Sequence, residues 1–358
     1  MSVYPSTVAV TSSTHEYIDG KVYSLPDCWV PVPPVDLRRG CEKKGICDKR
    51  TTMQEAVSRH ITDDINLGMG GLHDTRGPVA IVHEIIRHGV RGLTLSLSSS
   101  SICAELLAGA MILDPGHLSI KRIDFAWHDD GHREMRPLLG YLVDAGMVEC
   151  SDFSISNPGA RFTVGACSSD LSGWQSLEDA GSAEELNVSE RIGVHGLSGK
   201  RETAWSFCRP DVGIVHVPAA DMCGNARIIG ALCGCPDIAR AAARTIMSVD
   251  QILPQEHICG YAGLTEISSD DIDEVVEQPF GATPGACRGH YGFDIAHLLE
   301  FRTLCEEFRK SGNTDRLQKY YDRNIFGCET FEDFLNLQSS HSLQEIIRKD
   351  GGQSLDLD

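Results

Sequence analysis

The chain has 358 residues, 41% of them apolar and 23% charged, which is enough to bury a sizeable core and excludes disorder over most of its length. Its 51 acidic against 32 basic side chains leave a net charge of −19, which repels phosphate backbones and argues against nucleic acid as a partner. No run approaches the roughly 20 apolar residues of a membrane span and no basic-then-apolar leader opens the chain, so a cytoplasmic protein without membrane contact is expected.

Residues 1–50 carry Pro5, Pro26, Pro31, Pro33 and Pro34 among Ser/Thr clusters and show no sustained period, so they read as a loosely ordered extension. The extension contains Cys28, Cys41 and Cys47 and a basic run from Arg38 to Lys44. The main α/β domain is expected over 51–340, with a tail at 341–358. Thr52 and Glu55 form a capping-box pattern ahead of a short helix through Val57 and Ile61. Ile65–Met69 alternates as a strand and runs into Gly70-Gly71. Pro78 suits the first turn of a helix striped by Val79, Val82, Ile85 and Ile86, which Gly89 ends. Leu93, Leu95 and Leu97 mark the next strand, Ser98 to Ser101 the loop after it, and Ile102, Leu106, Leu107 and Met111 the next helix. Repeated strand–loop–helix units of this kind predict an open, mostly parallel sheet covered by helices.

The later half continues the pattern. Val212–Val217 is a near-continuous apolar run, as in a strand buried on both faces. Helix is expected over Ile238–Arg244 and a strand over Thr245–Val249, and Ile272–Val276 leads into Phe280–Gly285. Helical periods then follow at Ile295–Phe308, Leu317–Tyr321 and Phe331–Leu337. Leu298, Phe301, Leu304 and Phe308 make a core stripe. The polar stretch 168–203 fits neither period and is long enough for a functional loop.

Fourteen cysteines in 358 residues are about 4% of the chain, below the density of disulfide scaffolds, and several lie in apolar patterns, so reduced thiols are expected. Cys233-Gly234-Cys235-Pro236 has the wrong spacing for a thiol oxidoreductase and reads as a turn before a helix. His128 and His132, with Asp129, Asp130 and Glu134, have metal-like spacing, but Gly131 weakens the helix that would align them, and a solvated loop is expected instead. His83 and His216 fall in apolar runs and read as core or interface histidines.

The most informative stretch is Gly68–Pro78, where a strand ends in glycines and a helix begins. Such a turn can aim backbone N–H groups at an anion or a developing oxyanion. It is neither a Walker loop nor a G-x-G-x-x-G turn. This stretch with Pro78 and Arg87–Thr94, then Arg209–His216 with Asp221–Ala226, Pro236–Ala242, and Pro279–Pro284 with Gly289–Asp294, resembles in order the A-type chain of class I coenzyme A transferases, the glutaconate branch in particular. The resemblance covers roughly 52–125 and 205–337.

It implies an open α/β fold and a hetero-oligomer of A and B subunits that acts on an acyl-CoA and a free carboxylic acid. CoA is then a substrate and carrier, and no tightly bound cofactor or metal is implied. A glutamate attacks the thioester in this family, and it usually belongs to the B subunit, in a Ser-Glu-Asn-Gly motif. Here Ser189-Glu190 is followed by Arg191-Ile192, so the nucleophile is expected on the partner. This chain would contribute Gly70, Gly71 and Leu72 as oxyanion donors, with Ser98, Ser99, Ser100, Gly281 and Ala282 binding substrate. A ring-opening hydrolase branch carries its glutamate in the A-type chain just before a proline. Arg136 stands at that place here, with Glu134 two residues away as the remaining candidate. Thr283 stands where relatives often carry His.

Overall fold

The computed structural model describes residues 48–97, 99, 102–126, 136–153, 161–163, 165–166, 208–338 and 343–347, together with the strands at 15–18, 21–24, 173–176, 192–195 and 201–205. Its centre is a sheet in the order β13-β12-β10-β3-β4-β5-β6. These strands are β3 (Asn66–Met69), β4 (Val90–Leu97), β5 (Leu118–Ala126), β6 (Glu149–Phe153), β10 (Val212–Ala220), β12 (Arg244–Ile252) and β13 (Glu274–Glu277). All of these neighbours pair in parallel. The two-residue β11 (Ala226–Arg227) adds antiparallel to β10. The expected open, mostly parallel α/β sheet is therefore the observed one.

The strand order runs outward from β3 to β6, then returns to β3's other side with β10. This reversal opens a crevice beyond the carboxyl ends of β3 and β10, where ligands of such sheets bind.

Helices cover the sheet: α1 (Met53–His60), α2 (Val79–His88), α3 (Ile102–Leu113), α4 (Pro137–Asp144), α5 (Cys235–Ala241), α6 (Gln255–Gly260), α7 (Ile295–Ser311), α8 (Asp315–Tyr321) and α9 (Phe331–Leu337). The Thr52–Glu55 capping box forms as its residues predict, and a second one, Thr330–Asp333, starts α9. The main core joins Leu67, Leu95, Ile214 and Ile246 of the sheet to α2, α3 and the expected α7 stripe, in which Phe301, Leu304 and Phe308 are buried. On the other face, Val215, Val217, Met247 and Val249 pack with Ile238 of α5. Because side chains alternate along a strand, burial on both sides makes most of both faces of β10 and β12 apolar, and this explains the near-continuous run at 212–217.

Several expectations are corrected. The helix expected to reach Arg244 stops at Ala241, because β12 begins at Arg244 and pairs with Val212. Within the extension β1 (His15–Ile18) and β2 (Lys21–Ser24) form an antiparallel hairpin. At the extension's end Lys49 and Thr51 exchange backbone hydrogen bonds with Met222 and Val275, so the chain joins the β13 edge at about residue 49. Within the unassigned 168–203 stretch and just after it, β7 (Gly173–Ser176), β8 (Ile192–His195) and β9 (Arg201–Trp205) make a small antiparallel sheet. In the tail, 343–347 is helical and Ile346 is buried. Among the described residues no disulfide joins two cysteines. Among the described residues no helix is long and apolar enough to cross a membrane.

Candidate active site

β3 delivers the glycine turn to the carboxyl edge beside β10. Gly70 lies so close to Ile214 and Cys235 that a Cβ there would be 3.0 Å from the Cys235 sulfur. Gly71 has φ +99° and would bring a Cβ 3.0 Å from the Arg76 carbonyl oxygen, so the position requires glycine. The turn closes tightly: Leu72 N–H donates to Thr75 O at 3.1 Å and Thr75 N–H returns the bond to Leu72 O at 2.9 Å.

This geometry corrects the expected donors. Gly70 N–H is bonded to Ile214 O at 3.0 Å and Leu72 N–H to Thr75 O, so neither is directed at a ligand. Gly70 and Gly71 are buried, and the half-buried part of the turn is Leu72–Thr75. The reason is the reversal of strand order, which places β10 alongside β3 and consumes the first amide in sheet continuation. Ser99 is also buried and accepts the His73 N–H at 2.8 Å, so it braces the turn. Ser98 and Ser100 lie outside the described residues, as do Glu134 and the His128–His132 run.

Asp74 organises the lip. Its carboxylate accepts the N–H of Ile102 at the start of α3, at 2.8 Å, and takes two bonds from Arg136, at 3.1 and 3.2 Å. An acid at a helix N-terminus also gains from the helix dipole. Arg136 immediately precedes Pro137, which opens α4. Glu105 then accepts the N–H groups of Leu138 and Leu139, at 3.1 and 3.0 Å. Burial pushes the Glu105 carboxyl up, against the opposing pull of those two amides and of Arg136.

Arg76, 1% exposed, lies beneath the turn with φ +52°. Its guanidinium donates to the carbonyls of Ile229 and Ala231, while its Nε is without a partner. Burial raises the Cys235 thiol, with the Arg76 charge and the Gly71 amide acting in the opposite sense. Cys233-Gly234-Cys235 forms the expected turn into a helix, with Gly234 in the left-handed region.

The segment after β13 locks onto the turn from behind. Arg76 N–H donates to Ala286 O at 2.7 Å, Ala286 N–H to Asp74 O at 2.9 Å, and Ala80 N–H at the start of α2 to Gly281 O at 2.9 Å. Gly281 and Ala282 are buried, and Ala282 N–H is bonded to the Tyr291 hydroxyl at 3.0 Å. Both therefore hold the scaffold rather than face a ligand. Thr283 Oγ1 is buried without a hydrogen-bond partner.

His216 and His83 are both core residues, as their apolar surroundings suggest. His216 is held at Nδ1 by Ser248 Oγ, 2.9 Å away. His83 stands edge-on to Phe331 and Phe334, and its Nδ1 has no partner. Burial keeps its ring well below the ordinary histidine range.

Sequence reasoning missed Asp74, Arg76 and Asp250 as structural partners. The first two stand inside the glycine stretch and were visible there as charges. Asp250 becomes meaningful only once the β10–β12 register is known. A separate cavity of about 880 Å³ is lined by Arg50, Thr52, Arg87, Gln278 and Thr330 among others, and none of the turn residues reaches it.

No protein-family model matches the chain. It is 24% identical over 300 residues to the A subunit of glutaconate CoA-transferase from Acidaminococcus fermentans, across 80% of this chain and 91% of the relative. It is 25% identical to the A subunit of 3-oxoadipate CoA-transferase from Pseudomonas knackmussii, across 79% and 95%. A further relative, the IpdA subunit of a cholesterol ring-cleaving hydrolase from Rhodococcus jostii, is 26% identical across 69% of this chain and 83% of its own. The crystal structure of the Acidaminococcus glutaconate coenzyme A-transferase superposes with a TM-score of 0.74 at 22% identity, covering 83% of this chain and 95% of that one. Along most of its sequence the chain is thus similar to the A subunits of CoA-transferases, and it shares the fold of the glutaconate enzyme.

Proposed function

We propose that this chain is one half of an acyl-CoA:carboxylate CoA-transferase whose attacking glutamate comes from a B-type partner. The observation that carries this reading is the similarity over four-fifths of the chain to the A-type chain of a transferase. The state of the carboxylate at the lip supports it: Asp74 is committed to capping α3 and to Arg136. A group so occupied is a poor nucleophile.

In the proposed reaction a partner glutamate oxygen attacks the thioester carbonyl carbon. The C–S bond breaks, leaving an acyl-glutamyl anhydride and the CoA thiolate. The thiolate then attacks the glutamyl carbonyl, releasing the first acid and forming a glutamyl-CoA thioester. A second carboxylate repeats the two exchanges in reverse, so no water and no redox agent is consumed. This chain forms the wall of the pocket, with Leu72–Thr75 at its lip, the Arg136–Asp74 pair beside it, and Ser98 and Ser100 as further substrate contacts. Gly70, Gly71, Gly281 and Ala282 hold that wall from below.

Hydrolysis on the same scaffold is the second reading, favoured by the ring-cleaving relative. Arg136, at the place where the hydrolase branch carries glutamate, weighs against it. Incubating the complex of this chain and a B-type partner with an acyl-CoA, with and without acetate, separates the two. Transfer requires the acceptor. CoA release at equal rates without acceptor contradicts the transferase reading.

A further inference from the structure

On β10 and β12 the residues of even number face one way: Val212, Ile214 and Ile246 enter the main core, and His216, Ser248 and Asp250 follow on that same face. The covering element there is the segment carrying Cys287 and Tyr291, both buried. One ligand atom each from His216, Asp250 and Cys287 lies within 4.8 Å of the other two. His216 Nε2 is 3.3 Å from Asp250 Oδ2. The carboxylate, in a residue only 7% exposed, has the His216 ring and the Cys287 thiol as polar neighbours.

We propose that His216, Asp250 and Cys287 bind a zinc ion that fastens the 280–291 segment to the sheet. Zinc bonds of about 2.0–2.3 Å hold ligand atoms about 3.3–3.8 Å apart, so the His–Asp separation already matches one edge of a tetrahedron. The donor set of imidazole, carboxylate and thiolate suits zinc rather than magnesium or calcium, which take oxygens. Charge points the same way. A neutral imidazole, one carboxylate and one thiolate sum with a divalent ion to zero, the condition under which ionised groups are tolerated in a dry interior.

An outer shell is in place. Ser248 Oγ, 2.9 Å from His216 Nδ1, is also 3.5 Å from the Val215 carbonyl, so Nδ1–H donating to Ser248 leaves the Nε2 lone pair turned toward Asp250. The Tyr291 hydroxyl, 3.3 Å from His216 Nε2 and 3.3 Å from Asp250 Oδ1, occupies the remaining side. Binding displaces the Cys287 thiol proton to solvent. The site is structural: it is closed to solvent, and the segment it fastens carries the Ala286 and Gly281 carbonyls that hold the turn and α2.

The test uses the full chain without reference to turnover, so its outcome is independent of the transferase reading. Purified protein dialysed against a weak chelator should retain about one zinc per chain. Cobalt in its place should show a thiolate-to-metal absorption band that Cys287→Ser abolishes. X-ray absorption on the wild-type zinc protein, which requires no variant, should give one sulfur at about 2.3 Å among nitrogen and oxygen scatterers. Retention of no zinc, a thiolate band unchanged in Cys287→Ser, or a shell with no sulfur or with two or more overturns the proposal.

Discussion

One face of the sheet changes character along its length. Toward the middle, Ile214 and Ile246 meet α2, α3 and α9 in an apolar core. Two residues further on, His216 and Ser248 meet the 280–291 segment in a polar one, backed by the glycine turn. The helical cover follows its sequence pattern and buries polar groups of its own, His83, Glu105 and His297 among them. The carboxyl edge holds His73, Arg76 and Phe280 at positive φ and buries Arg76, His216 and Asp250. Strained backbone and buried charge persist only where surrounding structure enforces them, and such places are commonly functional. The cover supplies stability, while the edge depends on it and holds the candidate site.

Variants should separate the two regions. The largest effect is expected in the cover. Phe334 is fully buried against His83 and Phe331, and Phe334→Ala should cost about 3–5 kcal/mol of unfolding free energy. Denaturant titration measures this, and transfer per folded complex should be unchanged. At the edge, Gly71→Val places a branched side chain at φ +99° against the Arg76 carbonyl. Transfer by the complex should fall about 100-fold, equivalent to about 2.7 kcal/mol of barrier. Unaltered turnover would leave the turn without a role. Thr330→Ala removes the α9 capping box and should lower stability by about 1 kcal/mol with activity intact.

The smallest effect is on pH dependence. Burial lowers the His83 pKa from 6.5, so the unfolded chain binds the proton that the folded chain refuses. Stability is then complete above pH 6.5 and declines as the pH falls below it. His83→Leu should flatten that decline in thermal melts between pH 7 and about pH 5. An unchanged slope would assign the loss to other groups, of which His297, also lowered by burial, is the next.

The same division marks what the sequence revealed. Periodicity located α2, α3, α7 and α9 and the strands between them, because each buries an apolar stripe that local spacing records. The Thr52–Glu55 cap was equally local. The roles of Gly70 and Leu72 were misread: their amides bond to Ile214 and to Thr75, and the first of these partners lies far along the chain. Asp74 with Arg136 and His216 with Asp250 are likewise pairings across strands and loops that spacing does not encode. The resemblance pointed to similar proteins but not to the orientation of a single N–H group. Gly281 and Ala282 illustrate this, being motif residues that turned out to be buried scaffold.

The proposed division of labour between two chains has a direct test: mix this chain with a B-type partner, trap the reaction with acyl-CoA, and locate the covalent CoA adduct by peptide mass spectrometry. The adduct is predicted on a glutamate of the partner, with no transfer by this chain alone. An adduct on a carboxylate of this polypeptide, or turnover without a partner, would contradict it.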